Sequence, residues 1–418
     1  MSGVLRGFVW IWVEVAEPLM TTSMKIPTSQ NAGLYVHIPF CVNKCPYCDF
    51  YSQTDLSLKP RLVEALIAEM EMVSTEGLSF DTLYIGGGTP SVYDDQNIDR
   101  IVNAIFQNYR FLPDSQITIE VNPGTASIEK LKGYQEAGIN RINIGVQSFS
   151  QTNLEFLGRI HTAAEACNAI NDARRAGFAK IGLDFIYGLP EQTREDWLTD
   201  LEQALAHGPT HLSCYMLTYE KGTPLHRDLR NGRLQPLSDD QGRDLFETTV
   251  EFLEDNGFFQ YEISNFARQQ GALEANVSRH NFKYWTRAPY IGLGPSAHSF
   301  RASRRYWNLS GIDRYLAAVE SGRSPVAETE TLTPEQELIE VIYLGLRMTQ
   351  GIDLIWFAEK FEFDFLQAYK DIIADLVNQN YLKVSATSAA LTRQGRAFLD
   401  RIAAMLVNAD VHVPVAKK

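Results

Sequence analysis

Strand-like and helix-like segments alternate about six times between Leu34 and Leu217, and that rhythm leaves few architectures open. Leu34–Phe40, Asp81–Ile85, Ile117–Val121, Arg141–Val146, Lys180–Ile186 and His211–Leu217 read as strands. Helical spacing fills the intervals over Pro60–Gly77, Ile98–Phe106, Ile128–Ala137, Ala163–Ala176 and Arg194–Ala206, with Gly77, Gly138 and Gly177 among the stop signals. This order predicts a parallel sheet covered by helices, and both a doubly wound sheet and a barrel satisfy it. Either fold collects ligands at the carboxyl ends of its strands. The polar and glycine-rich signals fall there: Cys41–Cys48, Gly86–Pro90, Asn122–Pro123, Gln147 and Tyr187–Pro190.

Cys41, Cys45 and Cys48 are spaced C-x3-C-x2-C directly after the first strand, and Asp49–Phe50 follow, so no fourth cysteine stands close by. A cubane [4Fe–4S] cluster normally takes four thiolates, so three leave one iron open to a small-molecule ligand. A zinc site completed by a distant histidine competes with this reading, but zinc ligands usually come as two short pairs and no second C-x2-C or H-x3-H pair is expected here. Five cysteines in 418 residues do not make a secreted disulfide scaffold. Cys167 and Cys214 read as small buried hydrophobes. Thiols that must stay reduced point to the cytoplasm.

At 45% hydrophobic and 21% charged, the chain can bury one large core and a smaller domain. A net charge of −13 argues against a nucleic-acid footprint, and the basic run Arg301–Arg305 is short. Phe8–Val15 is apolar but interrupted by Glu14 and far short of a membrane span. Residues 1–30 read as a tail, with Met20 or Met24 as alternative starts.

Single residues carry further chemistry. Glu120 lies on an otherwise apolar strand, where an ionised carboxylate is costly unless it meets a ligand, a cation or a salt-bridge partner. Arg159 offers forked donors suited to a carboxylate. Gln147 and Asp184, near strand ends, could hydrogen-bond a cofactor, although a strand cap is an equally ordinary use for each.

The cysteine loop and Gly87–Gly88–Thr89–Pro90 resemble the radical S-adenosylmethionine (SAM) superfamily. With Val36–Cys41, Phe185–Pro190 and the segment Thr333–Leu406, the chain from about Leu34 is similar to the superfamily's coproporphyrinogen III dehydrogenase-like (HemN) group. That resemblance implies an α/β fold: a partial (β/α)6 barrel over 31–265, a linker and motif segment over 266–325, and a small winged-helix-like C-terminal domain over 326–418. It implies a [4Fe–4S] cluster on Cys41, Cys45 and Cys48, with SAM chelating the open iron and cleaved to methionine and a 5′-deoxyadenosyl radical. The implied SAM contacts are Tyr35, Tyr47, Gly87, Gly88, Thr89, Glu120, Gln147, Arg159 and Asp184.

Two features separate the chain from the dehydrogenases themselves. Phe50 stands where those enzymes carry a further cysteine, and His280–Trp285 (HNFKYW) matches the HNxxYW motif of the group's haem-chaperone branch. The branch implies haem as a third cofactor, haem-acceptor proteins and an electron donor as partners, no nucleic acid, and at most peripheral membrane contact; a homodimer is compatible with it. Haem contacts would fall at His280, Asn281, Tyr284 and Trp285. By residue type alone, His280 and Asn281 would cap a turn while Tyr284 and Trp285 fill core, and Met216, His226 and His298 are alternative haem contacts. The competing activities are an oxygen-independent coproporphyrinogen III oxidase and a radical methyltransferase, so whether the chain is an enzyme stays open at this level.

Overall fold

The structure, a computed structural model, describes residues 31–409. The stretch 1–30, read above as a tail, lies outside the described residues. Six parallel strands stand side by side in chain order: β1 (Ala32–Ile38), β2 (Phe80–Gly87), β3 (Phe111–Val121), β4 (Arg141–Gln147), β5 (Lys180–Tyr187) and β6 (His211–Met216). The order never reverses. Because each crossover has the same hand, a sheet that grows in one direction keeps its helices on one face and curls into part of a barrel. A doubly wound sheet would need a switch point, and none occurs among these strands.

The sheet continues past both ends into a 12-stranded whole. Beyond β6 lie β7 (Phe258–Gln260) and β8 (Asn265–Arg268), with β8 antiparallel to β6. Beyond β1 lie β9 (Tyr290–Leu293), parallel to it, and the antiparallel β10 (His298–Arg301), β11 (Arg304–Asn308) and β12 (Val326–Thr331). The stretch 266–325, expected as a linker, thus supplies strands to the main sheet. The physical reason is the free edge of β1: Gly33–Val36 pair in register with Tyr290–Leu293.

The residues of the parallel strands sort by face. Leu34, Val36, Ile38, Leu83, Ile85, Ile117, Ile119, Ile142, Ile144, Val146, Ile181 and Leu183 are at most 3% exposed and pack against the helices. Those helices start at clear signals: Asp94, Ser127, Thr162 and Thr193 each accept a hydrogen bond from the first turn, and the last two form capping boxes with Glu165 and Asp196. The alternate residues, Tyr35, Tyr84, Thr118, Glu120, Asn143 and Asp184, point into the barrel. A parallel sheet sealed on both faces usually reads as continuous apolar runs. Here the inner face is polar.

A second core lies in the C-terminal part, where Leu338, Ile342, Leu346, Phe357, Phe365, Leu376 and Ile402 pack around a three-stranded sheet. Its strands are β13 (Ile352–Asp353), β14 (Leu382–Val384) and β15 (Ser388–Leu391), ordered β13-β15-β14. Arg347 ties this part to Glu262 at 2.7 Å, and Arg287 bridges to Glu337 at 3.4 Å and Glu340 at 3.1 Å. Cys214 is buried, as expected, whereas Cys167 is only partly covered. Among the described residues, no helix is long and apolar enough to cross a membrane.

One buried acid staples the outer strands to the barrel. Glu69, 1% exposed on the helix Lys59–Met72, accepts from Gly294 N at 2.8 Å, Tyr315 Oη at 2.6 Å and Asn308 Nδ2 at 2.5 Å. Removing it strands three buried donors, each worth roughly 1–3 kcal/mol when left unpaired. Glu69→Ala is therefore expected to destabilise the fold by about 3 kcal/mol or more in denaturant titrations, and Tyr315→Phe by only about 1 kcal/mol.

Candidate functional site

The cysteine loop leaves β1 through a closed neck. Cys41 N donates to Gln53 O at 2.9 Å and Gln53 N donates to Pro39 O at 2.7 Å, so residues 41–52 form one loop over the carboxyl end of the barrel. Cys41 is buried and accepts from Thr89 Oγ1 at 3.5 Å; Cys45 and Cys48 are half-buried. Burial raises the Cys48 thiol pKa, and the neighbouring Cys45 and Cys41 add to the shift, so the three sulfurs share one neighbourhood. Among the described residues, no three His, Cys, Asp or Glu side chains converge so as to hold one metal ion. A cubane does not require that convergence, because each thiolate bonds its own iron; three clustered thiols on one loop fit such a group.

Two other loops clasp this one. Gly88 N donates to Ile38 O at 2.7 Å and Thr89 N to Phe40 O at 2.8 Å, fusing the turn after β2 to the exit of β1. Gly87 has φ +110°, and a Cβ there would come within 2.6 Å of the His37 ring. From the other side, Gly158 O accepts from Asn43 Nδ2 at 3.2 Å, and Arg159 Nη1 lies 3.8 Å from Cys45 Sγ and 3.5 Å from Tyr47 Oη. Gly158 has φ +63° and packs so tightly on Pro46 that a Cβ would meet its Cδ at 2.6 Å.

Below the loops lies the polar inner face. Glu120 accepts from Tyr84 Oη at 2.7 Å and from Gly87 N at 3.2 Å. Burial pushes its carboxyl up to about 7; the Tyr84 bond opposes this and the nearby Asp184 reinforces it. Asp184 is pushed up to about 6 by burial, against a hydrogen bond from Ser213 and the charges of Arg141 and Arg159. Arg159 Nη2 donates to Gly145 O at 2.8 Å, while its Nε has no hydrogen-bond partner among the described residues. Burial opposes the Arg159 charge, but Tyr47 and Cys45 outweigh that and raise its pKa. Gln147 sits at a β-bulge with φ +67°, a strained conformation for a side-chain-bearing residue. Tyr35 Oη lies 2.9 Å from His37 Nδ1; because His37 Nε2 must donate to Tyr51 O, Nδ1 accepts from the tyrosine.

All nine SAM-contact candidates therefore line the carboxyl end or the inner face of one barrel. Residues missed at the sequence level share that face. Tyr84 and Arg141 are buried there, and among the described residues Thr118 Oγ1, Asn143 Oδ1 and Arg141 Nε and Nη2 have no hydrogen-bond partner. Their signal was the apolar–polar alternation of Ile117–Val121 and Arg141–Val146. Buried polar atoms left unpaired are costly, so this lumen suits a polar ligand or ordered water.

The HNxxYW residues come together at the opposite end. The helix Arg279–Trp285 plugs the amino-terminal mouth: Arg279 N donates to Gln116 Oε1 at 2.9 Å, Arg141 Nη1 donates to Asn276 O at 3.1 Å, and Lys283 pairs with Asp81 at 2.6 Å. His280 is 1% exposed, with Nδ1 2.9 Å from Thr82 Oγ1 and Nε2 2.9 Å from Tyr284 Oη. Its ring stacks on Tyr84 at 5.3 Å, and burial pushes its pKa down to about 3. Both ring nitrogens are thus engaged, which leaves none facing a ligand. Tyr284 packs on Tyr290, Trp285 lies under Arg347 at 4.4 Å, and Asn281 is half-buried on the same helix, so the aromatics fill core as their types suggest. His207 and His211 stand at the H-x3-H spacing of a zinc pair, a spacing the sequence reading overlooked. His211 is buried and bonded to Tyr261 at 2.8 Å, and His207 stacks on Phe149, both at the end away from the cysteines.

Comparison with known proteins agrees with this geometry. The Radical SAM superfamily pattern matches residues 35–204 and the HemN C-terminal domain matches residues 332–398. Heme chaperone HemW of Lactococcus lactis is 34% identical over 363 residues, spanning 86% of this chain and 93% of that one. Heme chaperone HemW of Bacillus subtilis is 32% identical over 367 residues, spanning 87% and 95%. The solved coproporphyrinogen III oxidase (HemN) from Escherichia coli covers 90% of both chains with a TM-score of 0.78 at 22% identity, a likeness of fold. Matched nearly end to end by such relatives, the chain belongs to the radical SAM superfamily and, within it, to the HemW family.

Proposed function

We propose that this chain binds haem and passes it to acceptor proteins, on a barrel that carries a SAM-ligated [4Fe–4S] cluster. The observation that carries the reading is the match to heme chaperones over 93% and 95% of their lengths. Phe50 supports it, standing exposed where the dehydrogenase pattern has a cysteine. As a radical SAM protein the chain takes a [4Fe–4S] cluster and SAM as cofactors, and these supply one-electron reductive chemistry when bound.

The chain's own residues hold, orient and shield them. Cys41, Cys45 and Cys48 bond three irons. The Arg159 fork takes the SAM carboxylate, and its charge also offsets the thiolate at Cys45. Gly87, Gly88 and Thr89 offer close backbone approach, and Glu120 supplies the negative charge for the amino group. Asp184 and Gln147 serve the ribose hydroxyls, with Tyr35 and Tyr47 as walls. Thiols that must stay reduced support a cytoplasmic location, with an electron donor and a haem acceptor as partners.

The test begins with anaerobic cluster reconstitution, followed by haem titration, transfer to an apo-acceptor, and assay of coproporphyrinogen III turnover. Haem uptake and transfer without porphyrinogen decarboxylation is the expected result; efficient decarboxylation would assign the oxidase activity instead. Because the Glu120 carboxyl sits near 7 in the free protein, SAM affinity should rise with pH through that value, by at most about tenfold per unit. Equilibrium dialysis across pH 6–8, with Glu120→Gln flattening the profile, checks the sign. Gly158→Ala should lower iron and sulfide per chain while the far-UV spectrum is kept, since the new Cβ collides with Pro46 in the cluster loop.

A further inference from the structure

The inner face that bears the cofactor residues does not stop at β1. Tyr84 pairs with Tyr35 and Tyr35 with Gly292. Phe300 pairs with Tyr290, so two residues further along His298 stands opposite Gly292, and His298 pairs with Trp307. Tyr84, Tyr35, Gly292, His298 and Trp307 thus form one row across β2, β1, β9, β10 and β11. Gly292 is required in that row because a Cβ there would collide with the His298 carbonyl and Ala297 Cβ, so the chain at 297–298 packs over it and brings His298 close beside β1. The His298 ring lies nearly parallel to Trp307, with centroids 5.5 Å apart and planes at 24°.

His298 differs from the other described histidines. His37, His161, His211 and His280 are at most 6% exposed. His207 stacks on Phe149, away from the cysteine end, and His226 lies on the helix Pro224–Arg230, off the sheet. His298 is exposed, faces the lumen side and makes no hydrogen bond through its ring among the described residues. Its pKa is lowered by partial burial and by Arg305, so at neutral pH the imidazole keeps a free lone pair.

An iron porphyrin takes a nitrogen ligand whose ring stands at right angles to its plane, so an aromatic ring parallel to that imidazole buttresses the ligand and fixes its orientation. We propose that His298 donates its ring nitrogen to the iron of a haem seated on the inner face between β1 and β11, with Trp307 as the flanking ring. The assignment rests on the haem-binding reading above. It moves the ligand from the buried HNxxYW plug to the open edge of the same chamber, beside His37 and in the row of the SAM contact Tyr35.

The test uses the full, cluster-loaded chain, with ferric protoporphyrin IX and, in parallel, metal-free protoporphyrin IX. His298→Ala should shift the Soret maximum and weaken ferric haem binding at least tenfold, while binding of the metal-free ring and SAM uptake hold. Added imidazole should restore the wild-type spectrum in His298→Gly. Trp307→Leu should weaken ferric haem binding, because the imidazole loses its backing ring, and leave the metal-free ring bound. If His298→Ala binds ferric haem with wild-type spectrum and affinity, the assignment falls while the haem reading stands. If the wild-type chain takes up no haem, the haem reading itself falls.

Discussion

The organising constraint is the split between the two faces of the parallel sheet. Leu34, Val36, Ile117, Ile119 and Ile142 are withdrawn from water on the helix side, and burial of such side chains, at about 25 cal/mol per Å2, drives the barrel together. The same strands then have no choice about their other residues. Tyr84, Glu120, Asn143 and Asp184 must face inward, into a space that the helices cannot fill. Unpaired donors and acceptors collect there, and the carboxyls of Glu120 and Asp184 are pushed up toward neutrality. The cofactor chamber is thus a direct consequence of how the core is built.

Closure of that chamber explains the remaining architecture. The carboxyl end is covered by the cysteine loop, held by backbone bonds from Gly88 and Thr89 on one side and by Gly158 and Arg159 on the other. The amino end is stopped by the helix Arg279–Trp285, whose charges are matched by Asp81. Among the described residues the sheet does not close into a ring between β7 and β12, and the exposed His298 and half-buried Trp307 lie toward its β12 edge. One chamber therefore has a sealed base, a loop-covered top and a lateral opening wide of β1.

Much of this was legible in the chain itself. Four of the five barrel helices start at Asp, Ser or Thr caps, Gly138 and Gly177 follow two of them, and β4 and β5 begin at the expected Arg141 and Lys180, whereas the first helix ends at Met72, short of the expected stop at Gly77. The cysteine trio, the glycine turn, Glu120, Gln147, Arg159 and Asp184 all fall at strand ends or inner positions of one barrel. What misled was residues 266–325: their short strands carry little periodicity, and only the exposed edge of β1 gives them a partner. The HNxxYW motif misled in a different way, because a histidine beside two aromatics reads alike whether it faces a ligand or a core. Its burial against Tyr84 and Thr82 involves residues some two hundred positions earlier in the chain.

Sequence alone determined the local facts: which segments extend or coil, which face of each strand is apolar, and that three thiols leave an iron cube one ligand short. These depend on spacing within a few residues, where backbone geometry sets the period. Only the tertiary structure decided that the strands stack without reversal, that His280 is a plug with both nitrogens engaged, and that His298 is left open beside Trp307. Those outcomes turn on contacts between distant segments, and no local pattern states which edge a late strand will find.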